Sequence, residues 1–117
     1  MKIVNVVPVP EPRMTKADAW KARPAVLRYF AYRDILKLNL PKYVLPPKLE
    51  VEFVLPIPPS WSKKKVKMMC GMPHQQKPDI DNLLKAFMDA FGVDDSHVWE
   101  VTSRKYWGIK GQVVIKD

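Results

Sequence analysis

Four aspartates, Asp79, Asp81, Asp94 and Asp95, bracket one short amphipathic segment of an otherwise basic chain, and Lys85 lies between the two pairs. Carboxylates this concentrated need a reason, because two of them about 4 Å apart repel by roughly 4 kcal/mol at an effective dielectric near 20. A cation or a lysine offsets that repulsion. Phosphodiester hydrolysis calls for such a centre, since a bound metal activates water and stabilises the charge developing on the phosphate. Hard oxygen ligands such as Asp suit Mg²⁺ or Mn²⁺, and Mg²⁺ takes few protein carboxylates while keeping several waters. The run Lys77-Pro78-Asp79-Ile80-Asp81-Asn82 fits that demand. Pro78 disfavours helical conformation at Lys77 and sets Asp79 near a helix start, where the macrodipole favours negative charge. Asp81 falls in the first turn, and Lys85 follows one turn later on the same face, where it can hold a phosphate oxygen or protonate a leaving group.

Each piece also has a purely structural use. Asp79 can be an N-cap. Asp81 and Lys85 can be an exposed i, i+4 pair worth about 0.2–0.5 kcal/mol, and Asp94-Asp95-Ser96 can be a polar turn. Paired acids at both ends of one helix in a basic protein are harder to explain by capping alone.

The elements that must position these residues are legible from pattern. Leu83, Leu84, Phe87, Met88 and Phe91 share one face at helical spacing while Asp81, Lys85 and Asp89 line another, which predicts a helix over 80–91 that Gly92 stops. Ile3 to Val7 reads as a strand. Lys16 to Asn39 has helical character, broken or restarted at Pro24. Leu49, Val51, Phe53 and Leu55 alternate with Glu50 and Glu52, the period of a strand with one wet face. Val66 to Cys70, Val98 to Trp107 and Gln112 to Ile115 read as further strands, the last two joined through Gly108 and Gly111. The expected fold is α/β in the α+β sense: one domain over 1–117, a mixed sheet with two main helices packed on it.

Charge is unevenly spread. Residues 1–37 and 38–78 each carry +5, whereas 79–117 carry −2, within a net +8 and a pI near 9.7. Such a balance points to a polyanionic partner, nucleic acid first. Lys63, Lys64, Lys65 and Lys67 form the densest patch, beside Trp61, with Lys77 further on and no acid between Pro56 and Pro78. Lysines there neutralise a phosphate backbone without reading bases. Trp61 can stack on an unpaired base, or pack at the rim of the core. Arg13 and Lys16, with Arg23, Arg28 and Arg33, make a second basic surface. The lone Cys70 rules out an internal disulfide and reads as a buried small hydrophobe. His74 and His97 are too isolated for zinc. No apolar run approaches a membrane span, and Pro8, Pro10 and Pro12 interrupt any signal-peptide core, so a cytoplasmic protein is expected, with neither membrane partner nor small-molecule cofactor.

The run KPDIDNLLKAFMDAF followed by DDSHV resembles the signature of the RusA-type Holliday junction resolvases, a family common in bacteriophages and prophages. The likeness is dense over 77–98 and looser elsewhere, through Pro10 to Thr15 and Pro56 to Pro59. Carried over residue by residue, it implies metal-binding carboxylates at Asp79, Asp81 and Asp95 and a catalytic-site lysine at Lys85. His97 stands where the family more often has Gln. The resemblance implies a Mg²⁺-dependent endonuclease, with Mn²⁺ able to substitute, that cuts four-way DNA as a homodimer. Two symmetric cuts call for two sites related by a two-fold axis, which a chain with one acid cluster reaches by pairing. Two other readings compete: a non-catalytic basic DNA-binding module of phage type, and a nuclease acting on flaps and forks.

Overall fold

The computed structural model describes residues 1–13, 23–92 and 94–116. Along the chain lie β1 (Lys2–Val4), α1 (Pro24–Asn39), β2 (Lys48–Pro56), α2 (Lys63–Met69), α3 (Ile80–Phe91), β3 (Glu100–Gly108) and β4 (Gln112–Ile115). The strands form one mixed sheet in the order β1-β4-β2-β3. β4 is antiparallel to both β1 and β2, while β2 and β3 run parallel, from Lys48 opposite Glu100 to Pro56 opposite Gly108. The connection between that parallel pair carries α2 and α3. This is the expected α+β architecture.

The sheet has unlike faces because its strands alternate. Leu49, Val51, Phe53 and Leu55 of β2 are buried with Val113 and Ile115 of β4 and Val4 of β1. Tyr32 and Leu36 of α1 and Leu83, Ala86, Phe87 and Ala90 of α3 close over them. The opposite face bears charges: Arg104 Nη1 lies 2.9 Å from Glu50 and 3.2 Å from Glu52, and Lys116 Nζ lies 3.2 Å from Glu52. Solvent screens pairs this close to the surface, so each contributes little. They order a wet surface.

Several boundaries differ from expectation. β1 is shorter than the predicted strand. α1 starts at Pro24, whose fixed φ and missing N–H suit the first helical position; the earlier part of that predicted helix, Lys16 included, lies outside the described residues. β3 begins at Glu100 rather than Val98. The strand expected at Val66 to Cys70 is instead α2, whose N-cap Ser62 accepts a hydrogen bond from Lys65 N at 3.2 Å. The local cap decided that segment over its run of apolar residues. No residue of α2 is buried. Cys70 is correspondingly exposed rather than a core hydrophobe. Among the described residues, no helix is long and apolar enough to cross a membrane.

Candidate functional site

α3 fixes the acids. Asp79 is its N-cap by position and backbone angle, yet its side chain makes no capping hydrogen bond. The structural use of Asp79 is thus not taken up, and its carboxylate borders a groove lined by Pro10, Lys77, Pro78, Asp79 and Asn82. Asp81, in the first turn, accepts from Asn82 N at 2.9 Å. Lys85 is exposed one turn further along. Asp79 and Asp81 therefore occupy one end of the helix, and Lys85 shares the side of Asp81 one turn on.

Asp94 and Asp95 sit at the other end. Asp94 Oδ1 accepts from Ser96 N at 2.9 Å, and that hydrogen bond holds the carboxyl below its usual range. Asp94 is thus the turn residue of its pair. The Asp95 side chain makes no hydrogen bond or ion pair with a described residue, while its carbonyl accepts from Val98 N at 3.0 Å. His97 Nε2, 2.7 Å from the Leu45 carbonyl oxygen, donates to it and pins this loop to the entry of β2. Trp99 N is 3.0 Å from the Pro47 oxygen, which continues the attachment.

Helix length keeps the two groups apart. The 12 residues of α3 span about 18 Å at 1.5 Å per residue. β3 gives the same scale independently, since its start adjoins the Asp95 loop while Lys105, roughly 16 Å along, adjoins Pro78. Accordingly, among the described residues no three His, Cys, Asp or Glu side chains gather as metal ligands. Asp79 and Asp81 share the N-terminal end of α3, and Asp95 of the same chain follows its C-terminal end.

Of the residues expected to contact DNA, those of α2 and Lys77 lie toward the Asp79 end. α2 leaves the carboxyl end of β2 and returns as residues 71–74 along the outer edge of β3, where Gly71 N bonds the Trp107 oxygen at 2.8 Å and Trp107 N bonds the Met72 oxygen at 3.0 Å. Lys63, Lys64, Lys65, Lys67 and Lys77 are all exposed. Trp61 packs at the rim of the core, its ring 4.7 Å from that of buried Trp107, and Lys65 Nζ lies 4.1 Å from its centroid. His74 covers Trp107 from another side at 4.1 Å, and burial lowers its pKa, with the Lys105 charge adding to the effect. Arg13 is exposed, and its carbonyl oxygen accepts from the Arg23 guanidinium.

Two groups give little sign of themselves in the sequence. Glu11 N donates to the Asn82 oxygen at 3.3 Å, so the proline-rich N-terminal loop lies along α3. The Glu11 side chain lies beside Asp89, and its Oε2 is buried without a hydrogen-bond partner. Burial first, then the nearness and charge of Asp89, push Glu11 up to about 7, with the Lys85 charge opposing. The Asp81-Lys85-Asp89 stripe is legible, but its partner from residue 11 is a tertiary contact that no spacing announces. Lys105 is the second. Register with Phe53 places it on the helix-bearing face of β3, and a lysine at an inward position is a signal that the alternation does carry.

The family model described as Endodeoxyribonuclease RusA matches residues 5–116. The chain belongs to the RusA endodeoxyribonuclease family. No curated protein and no solved structure matches it. Members of the RusA family are endonucleases that resolve Holliday junctions, so the chain is a DNA-hydrolysing enzyme and branched DNA is its substrate class. This sets aside the non-catalytic module.

Proposed function

We propose that this RusA-family enzyme cuts four-way junctions by paired symmetric nicks, using a divalent cation held by Asp79 and Asp81 of one protomer together with Asp95 of a second copy. The reading is carried by α3, whose 12 residues set Asp79 and Asp81 about 18 Å from Asp95 along the chain. Hard carboxylate oxygens, with Asp79 unused as a cap, fit Mg²⁺ and accept Mn²⁺. A two-fold dimer that brings the Asp95 loop of each protomer to the other's Asp79 completes two sites at once. Val44, Trp99 and Val101, all exposed apolar side chains at the Asp95 end, supply surface for such a contact.

Within each site the chain's residues have separate tasks. When bound, the cation supplies water activation and neutralises charge on the phosphate. Lys85 contacts the scissile phosphate from the same helix face as Asp81. Lys63, Lys64, Lys67 and Lys77 hold the backbone of the arms, and Arg13 and Lys16 of the N-terminal segment supply a second basic surface. Trp61 supports α2 on Trp107 and bounds the junction side of the patch.

Subunit mixing tests this. Asp81→Asn and Asp95→Asn are each expected to abolish cleavage while retaining junction binding. Mixed and re-equilibrated, they form heterodimers in which one site is doubly altered and the other intact. Single nicks should return at about a quarter of the wild-type number of sites. A mixture as inactive as either parent would put all three aspartates of a site in one chain.

A further inference from the structure

We propose that Lys105 is a positioning residue for the carboxylates at the start of α3, a role that rests on the metal-site reading above. Its ammonium donates to the Gln76 oxygen at 2.7 Å and to the Pro78 oxygen at 2.8 Å, and its own carbonyl oxygen accepts from His74 N at 3.0 Å. Residues 74, 76 and 78, alternate members of the run that delivers Asp79, are thus all tied to one residue of β3. The Pro78 carbonyl belongs to the peptide unit that continues into Asp79 N, so this anchor is applied immediately before the first acid.

The chemistry suits a lysine. An ammonium has three donors and no acceptor, and a partly buried charge must find acceptors. Here the run's carbonyls provide them, and no carboxylate lies within ion-pair distance of Lys105 among the described residues. Its positive charge therefore stays beside the acids without neutralising any of them by direct pairing. A hydrophobe in its place would still fill the inner face of β3 but would release Gln76 and Pro78 to water. Groups that hold metal ligands in place typically change metal affinity about 10–100-fold when removed.

The experiment is Mn²⁺ titration of the intact dimer by electron paramagnetic resonance, with wild type, Lys105→Met, Lys105→Arg and Asp81→Asn side by side. Thermal unfolding and junction binding in EDTA are measured on the same samples. Lys105→Met should weaken Mn²⁺ binding by about 10–100-fold while binding junctions in EDTA as wild type does, and Lys105→Arg should recover part of the loss. Wild-type Mn²⁺ affinity in folded Lys105→Met, with Asp81→Asn defective, overturns the role of Lys105 and leaves the metal site standing. Equal, negligible uptake by wild type and Asp81→Asn overturns the metal site, and this role with it. If Lys105→Met does not fold, Lys105→Arg decides: an affinity shift at unchanged melting temperature supports positioning, and a melting shift at unchanged affinity refutes it.

Discussion

The two ends of α3 are built differently. At its N-terminal end the chain is fixed from outside: Lys105 ties the approach, Glu11 N bonds the first turn, and the lysines of α2 stand nearby. At its C-terminal end the chain holds itself through the Asp94 turn and the His97 bond, and two apolar side chains stand out beside it, Trp99 67% and Val44 73% exposed. On the proposed function, the first end meets DNA and the second meets a partner protomer. A site drawing on both ends needs a second molecule.

The helix between them is the hardest part to disturb without losing everything. Phe87 is fully buried against Phe53, Tyr43 and Phe91. Phe87→Ala should cost about 3–5 kcal/mol of stability, read by denaturant unfolding, and take both ends with it. A cost near that of a surface change would mean that α3 is not the spacer described.

A smaller change sharpens the contrast at the basic end. Replacing Lys63, Lys64 and Lys67 by Ala removes charge from a helix that buries nothing, and leaves Lys65 on Trp61. The slope of log affinity against log salt should fall by about one for each phosphate that is no longer neutralised, with the melting temperature unchanged. An unaltered slope would move the DNA path elsewhere.

The smallest effect concerns Glu11. Because it is easier to protonate in the folded chain than in the unfolded one, its contribution is full below its ordinary value of 4.5 and is lost as pH rises through about 7. Wild type should lose stability relative to Glu11→Gln across that window. A pH-independent difference would mean that folding does not favour the protonated Glu11.

Much of this architecture is written in local pattern. α3, β2 and β4 follow from periodicity because their apolar residues face one core. α2 does not, since Val66, Met68, Met69 and Cys70 look like a strand until Ser62 is recognised as a cap. The acids are legible as residues but misleading as a cluster, for closeness in sequence across a helix means distance in space. Glu11 and Lys105 act through tertiary contacts, and only the inward register of Lys105 leaves a trace in the alternation.

The shallow seating of α2 has a further consequence. Its lysines contribute nothing to the core, and its attachment runs through Trp61 and the 71–74 edge. On the proposed function, most of the grip on DNA would rest on side chains that the core does not use. Those lysines would then be replaceable one by one with little effect on the fold, Lys65 over the Trp61 ring excepted.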